Sequence, residues 1–276
     1  MRNSHILAVS LFFCLISSSL AQTFIHPSKD PNNWQPIFED QFVGASLETR
    51  NWVTCHWWNW DGKGCTILTN NELEWYLPEN VTVRGGNLIL TAEKEKTPGI
   101  NGRTFDYRSG MVSSGRMGNL GVPTKFAFQY GYVEMRAQIP IGKGLWPAFW
   151  LLPVTNKPLP EIDVMEVLGD NPNTVYTNFQ HGTSPTDKRT IGSSWRSPKP
   201  LEGWHTYAVN WQPDAITWYI DGVERFRMTQ SELVPNEPMH LVINLAVGGD
   251  WAGAPDESTP FPSSFLIDYV KVWQHK

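Results

Sequence analysis

Residues 204–228 read WHTYAVNWQPDAITWYIDGVERFRM. Residues 204–211 and 216–220 are short runs rich in aromatic and β-branched residues, which fit a pleated, half-buried surface. Asp221-Gly222 then turns the chain into a third run, 223–228, and Asp-Gly between such runs is a hairpin signal. The pattern repeats outward in both directions. Residues 81–83 and 88–91 flank Gly85-Gly86-Asn87, residues 131–139 alternate up to Pro140, and residues 239–247 and 265–273 close the chain. Turn formers recur throughout, with 22 Gly and 21 Pro. Only residues 72–77 suggest a short helix. Many short strands without alternating helices predict an all-β sandwich or barrel.

The ends and the composition narrow the setting. Arg2, an apolar run over residues 6–16 and the small residues ending Ser19-Leu20-Ala21 form the three parts of a secretory signal peptide. The run is shorter than the roughly 18–20 residues a membrane-spanning helix needs, and no later segment is long and apolar enough. The expected organisation is therefore a leader over 1–21 and one domain over 22–276, secreted to the extracellular space and not held in a membrane. The chain has 22 Lys and Arg against 27 Asp and Glu, a net charge of −5. That balance argues against nucleic acid as a partner. Of three cysteines, Cys14 falls in the leader, which leaves Cys55 and Cys65. In an oxidising compartment a disulfide is expected; a metal pair would need help from His56 and Asp61. Asn80-Val81-Thr82 is a glycosylation sequon and implies an exposed turn if the host glycosylates it. Fourteen tryptophans among 276 residues suit a sugar binder, because indole faces stack on pyranose rings.

The chemistry concentrates in residues 160–169, PEIDVMEVLG. The apolar residues read as a buried strand, yet Glu161, Asp163 and Glu166 put three acids in six positions, which is costly unless they are paired or functional. Alternation places Glu161 and Asp163 on one face and sends Glu166 to the other. One β-bulge between Asp163 and Glu166 restores it. The glutamates are then about 13 Å apart at Cα, and side chains leaning together approach the roughly 5–5.5 Å that retaining glycoside hydrolysis uses. Three crowded carboxyls cannot all ionise easily, so at least one pKa should be raised. A solvated edge strand is the alternative reading.

On Glu161-Ile162-Asp163-Val164-Met165-Glu166 the sequence resembles glycoside hydrolase family 16, in its bulged, laminarinase-like branch. Residues 70–73 (NNEL), 131–137 (GYVEMRA), 144–153 (GLWPAFWLLP), 218–222 (WYIDG), 244–249 (NLAVGG) and 267–273 (IDYVKVW) fit the same branch, in order. The resemblance implies a β-jelly-roll sandwich of two curved antiparallel sheets with an open concave cleft. It implies Glu161 as nucleophile, Asp163 as assisting acid and Glu166 as acid/base. It places Asn71, Arg136, Trp146, Trp150 and His181 near a polysaccharide substrate, with Trp251 beside them. It implies an endo-β-1,3-glucanase, with mixed 1,3-1,4 glucans as further substrates, that works as a monomer and needs no cofactor for catalysis. Many relatives carry a structural calcium on the convex side, matched here by Asp268 and the backbone near Gly86, although Gln41 stands where many relatives have glutamate. A non-catalytic glucan-recognition protein and a transglycosylase are rivals on the same fold. The segment between Cys55 and Cys65 departs from the pattern with Trp57, Trp58 and Trp60; a packed surface loop and an added sugar platform both remain open.

Overall fold

The computed structural model describes residues 24–55, 58–115, 123–155 and 157–276. The leader expected over 1–21, His56 and Trp57 lie outside the described residues. Two antiparallel sheets make up most of what is described. The larger runs Val223–Met228, Ala215–Ile220, His205–Gln212, Gly131–Gln138, Ser263–His275, Asn87–Ala92, Val81–Arg84, with Trp34–Asp40 also paired to Ser263–His275. The smaller runs Arg189–Arg196, Thr174–His181, Glu161–Glu166, Leu145–Pro153, Met239–Val247, Met111–Ser113. The three strands from residues 205 to 228 are consecutive neighbours. Asp221 and Gly222, at φ 53° and 72°, supply the two positive φ values that the tightest hairpin turn requires.

The sheets pack face to face as the sandwich expected from the sequence. Phe149, Leu151, Ile162, Met165 and Phe179 meet Trp211, Trp218, Val133 and Met135 in one buried cluster. Each such side chain contributes roughly 1.5–3 kcal/mol by leaving water. Met239–Val247 is buried at all nine positions, which a strand with one solvated face would not be. Its other face is roofed. Cys55, Cys65, Tyr76, Met111, Ala148, Trp150, Leu152 and Val242 form a second cluster, with Trp58, Trp60 and Ile67 against it. Cys55 and Cys65 are joined by a disulfide with Cα atoms 5.9 Å apart. In the chain-entropy model closing so short a loop stabilises by about 3 kcal/mol, and here it clamps the roof onto the outer face of the smaller sheet.

Two expectations are corrected. Residues 72–77 are not a helix: Glu74–Tyr76 is a short strand, parallel to Tyr107–Ser109. Trp75 stacks on Phe105 at 5.1 Å while Tyr76 enters the roofed cluster, and adjacent residues reach opposite sides only in an extended chain. Asn80 is not in an exposed turn. It is 2 % exposed, and its Nδ2, the atom a glycan would occupy, donates to Thr91 O at 2.8 Å and Glu93 Oε2 at 2.9 Å.

Candidate active site

The bulge lies in the strand Glu161–Glu166. Against Thr174–His181, Glu161 pairs with Gln180, Asp163 with Asn178 and Glu166 with Tyr176, so three steps on one strand match two on the other. Against Leu145–Pro153, Asp163 pairs with Trp150 and Met165 with Phe149, which leaves Val164 without an opposite residue. Val164 and Met165 both turn into the core, and all three acids line the opposite face. The bulge interrupts the ladder, and the Asp163 carbonyl is satisfied from across the sandwich. The Trp218 indole donates to it at 2.8 Å.

The acids line a cleft of about 950 Å³. Glu166 is held at both oxygens: Trp146 Nε1 donates to Oε1 at 3.2 Å and Asn178 Nδ2 to Oε2 at 2.9 Å. Gly192 backs Asn178; a Cβ there would stand 2.2 Å from its Oδ1, so only glycine leaves the amide its place. Gln180 Nε2 donates to Asp163 Oδ2 at 3.4 Å, and Thr190 Oγ1 donates to Gln180 Oε1 at 2.5 Å. Asp163 also shares a hydrogen bond with Glu161. Burial raises Asp163 to about 6, against the pull of its bonds to Glu161 and Gln180. Burial, then the charges of Asp163 and Glu166, push Glu161 well above the ordinary carboxylate range. Burial, then Asp163, does the same to Glu166. Lys188 lines the cleft and its charge draws all three back down.

The residues placed near substrate by resemblance divide. Trp146, Trp150 and Trp251 line the cleft. Trp251, on the helical turn Gly249–Ala252, is 42 % exposed and stands edge-on to Trp146 and Tyr176 at 5.1 and 4.9 Å. Asn71 donates from its side chain to both oxygens of Asp250, next to Trp251, and its neighbour Asn70 lines the cleft wall. His181 follows Phe179 by two residues, so alternation gives it the core side of the strand, where it stacks on that ring at 5.4 Å. Arg136 lies in Gly131–Gln138, in the opposite sheet, paired to Asp268 at 2.7 Å. That pair also bears on the implied calcium. The Asp268 carboxylate already faces a guanidinium, and among the described residues no group of three His, Cys, Asp or Glu could hold a metal ion. The Asp268 carboxylate is thus engaged by Arg136, and no step of the chemistry uses a calcium ion.

The sequence reading did not single out Asn178, Gln180, Thr190, Lys188, Asn244 or Asn70 as site residues. Asn178 and Gln180 had a signal, since polar residues two apart in a strand otherwise buried mark one functional face. Trp58, from the disulfide loop, lines the cleft and stacks on Trp150 with centroids 6.2 Å apart and planes at 17°.

The chain is similar to known proteins in sequence and in overall structure. The chain is 35% identical over 264 residues to an endo-1,3-1,4-beta-glycanase of Rhizobium meliloti (strain 1021), covering 89% of this chain and 53% of that protein. A second such glycanase from that strain is 36% identical, covering 86% of this chain and 51% of its own length, so the chain spans about half the length of these curated relatives. A beta-glucanase of Rhodothermus marinus is 31% identical, covering 88% of this chain and 86% of the relative. Among solved structures, the laminarinase catalytic domain from Thermotoga maritima MSB8 superposes with a TM-score of 0.76 at 33% identity, covering 88% and 98% of the two chains. The endo-beta-1,3-glucanase from Pyrococcus furiosus gives 0.75 at 33%, covering 88% and 95%. The family model for glycosyl hydrolases family 16 matches residues 69–271, a span that holds the bulged strand and both sheets' central strands, and the chain belongs to that family.

Proposed function

We propose that the chain is a retaining endo-β-1,3-glucanase, active also on mixed 1,3-1,4 glucans, that is exported and acts as a monomer. One observation carries the reading: the bulge gathers Glu161, Asp163 and Glu166 on one face of a tryptophan-lined cleft. Relatives named as laminarinase, endo-beta-1,3-glucanase and endo-1,3-1,4-beta-glycanase support the substrate class, and the Cys55–Cys65 disulfide suits an oxidising compartment.

In this reading Glu161 and Asp163 share one proton. With that proton on Asp163, Glu161 is the anion, and its carboxylate attacks the anomeric carbon. As the glycosidic C–O bond breaks, Glu166, kept protonated by its surroundings, gives its proton to the leaving oxygen. Water then enters, Glu166 takes its proton, and attack at the anomeric carbon releases Glu161. No cofactor takes part.

Reducing ends released from laminarin, lichenan and agarose, measured beside Glu161→Gln, test the proposal. The expected result is fast release from laminarin, slower from lichenan, none from agarose, and loss in the variant. Viscosity falling ahead of reducing ends would mark internal cleavage. An absence of turnover on every β-glucan would overturn it.

A further inference from the structure

Two acids beside the cleft take no part in the hydrolysis described above. Glu72 and Glu74 are 1 % and 0 % exposed; Glu72 reaches the cleft wall. Glu72 ends a chain of hydrogen bonds that all point one way. Trp150 Nε1 donates to Asn244 Oδ1 at 2.8 Å, Asn244 Nδ2 donates to Tyr76 Oη at 3.0 Å, and Tyr76 donates its proton to Glu72 Oε2 at 3.2 Å. An indole can only donate, while an amide and a hydroxyl can do either. The direction of the chain is therefore set at both ends, by the indole donor and by the acceptor Glu72. Glu72 is fixed as that acceptor by Asn70 Nδ2, which donates to its other oxygen at 2.8 Å. Glu74 accepts from Val247 N at 2.7 Å, and its remaining oxygen is buried with no donor among the described residues. A proton carried by Glu74 and directed at Glu72 satisfies both. Burial, then the charge of Glu72, keeps Glu74 well above the ordinary carboxylate range in accord with this.

We propose that Glu72 is a positioning residue: acting through Tyr76 and Asn244, it fixes the plane of the Trp150 indole that meets the sugar in the strand beside Asp163. The inference rests on the cleft being a glucan site, but the hydrogen-bond chain can be read without any sugar. Without the acceptor, the Tyr76 hydroxyl is no longer held in place to receive Asn244 Nδ2. The amide is then free to turn, and the Trp150–Asn244 bond weakens. Replacing one such bond with a mismatch costs on the order of 1 kcal/mol, or about fivefold in affinity.

The test uses the full chain in a Glu161→Gln background, so that bound oligosaccharide is not consumed. Binding of laminaripentaose is measured by calorimetry for Tyr76→Phe, Glu72→Leu, Glu72→Gln and the Tyr76→Phe/Glu72→Leu double variant. Tyr76 is wholly buried and does not line the cleft, so its hydroxyl acts only through the chain. The expected result is affinity about fivefold weaker in Tyr76→Phe and Glu72→Leu, no weaker in the double variant than in either alone, and restored in Glu72→Gln, whose carbonyl still accepts from Tyr76. In parallel, the Trp150 indole N–H resonance, assigned by its loss in Trp150→Phe, should move in the first two variants and return in Glu72→Gln. Additive losses, or an unmoved resonance in a Tyr76→Phe protein that melts as the parent does, would overturn the inference. If laminarin turnover by the unsubstituted chain fails while the resonance moves as expected, the glucan reading falls and the positioning role stands.

Discussion

Asp163 sits between the two glutamates and governs the charge of both. Its carboxyl is nine-tenths or more buried, raised to about 6, and bonded to Glu161 and Gln180. Activity needs the Glu161–Asp163 pair to have lost one of its two protons, so kcat/KM should rise with pH through about 6 on the acid side. The basic limb is set by loss of the proton from Glu166, which burial and Asp163 hold high. In Asp163→Asn no second carboxyl is left to hold the shared proton beside the Glu161 anion, and Glu161 ionises alone, still raised by its burial. The acid limb should move to higher pH while kcat drops by about 10²-fold, the low end of what acid–base assistance supplies. A pH profile of kcat/KM for both proteins checks this; an unmoved acid limb would remove Asp163 from the proton sharing.

At the scale of the element, the bulged strand Glu161–Glu166 is an irregularity with its own support. The Asp163 carbonyl freed by the bulge accepts from Trp218, a fully buried residue of the facing sheet. Trp218→Phe keeps most of the apolar volume and deletes the donor. It should cost about 1–3 kcal/mol for the unsatisfied carbonyl, and kcat should fall further than KM changes, because the strand that aims the acids loosens. Urea unfolding beside steady-state kinetics measures both. The acid-bearing face was legible in the sequence because six residues carry their own alternation, and one added residue is the simplest way to put Glu166 with Glu161. The hairpin at Asp221-Gly222 was legible for a similar local reason. Arg136 and His181 were not, because their positions depend on which sheet and which face a strand takes, and such long-range pairing has no signature within a strand. The 72–77 segment failed because its apolar spacing fits a short helix and an extended run equally, and only Phe105 on one side and Val242 on the other decide between them.

For the molecule as a whole, the acids that line the cleft work against folding. Glu161 and Glu166 have folded pKa values raised above the unfolded ones, so their contribution is fully present below the unfolded pKa and is lost as pH rises through the folded value. Glu161→Gln should therefore melt higher than the parent at pH 7, by about 2–4 °C for each kcal/mol of relieved burial and repulsion, with the difference vanishing near pH 4. His240 acts in the opposite sense. Burial lowers it to about 4, so the unfolded chain takes up a proton that the folded chain refuses as pH falls from about 6.5, and stability declines through that window. Scanning calorimetry from pH 4 to 8 would show both trends, and an equal gain for Glu161→Gln at both ends would discount the first. Asn80 sets a further condition, on biosynthesis. Since its amide nitrogen is enclosed between Thr91 and Glu93, an oligosaccharide could be added only to the nascent chain, and a chain so tagged could not seat the segment that leads into Val81–Arg84. In a eukaryotic secretory pathway the yield then becomes a kinetic partition between closure and tagging. Thr82→Ala, which erases the sequon at an exposed position, should release more active enzyme from yeast while leaving bacterial yields unchanged.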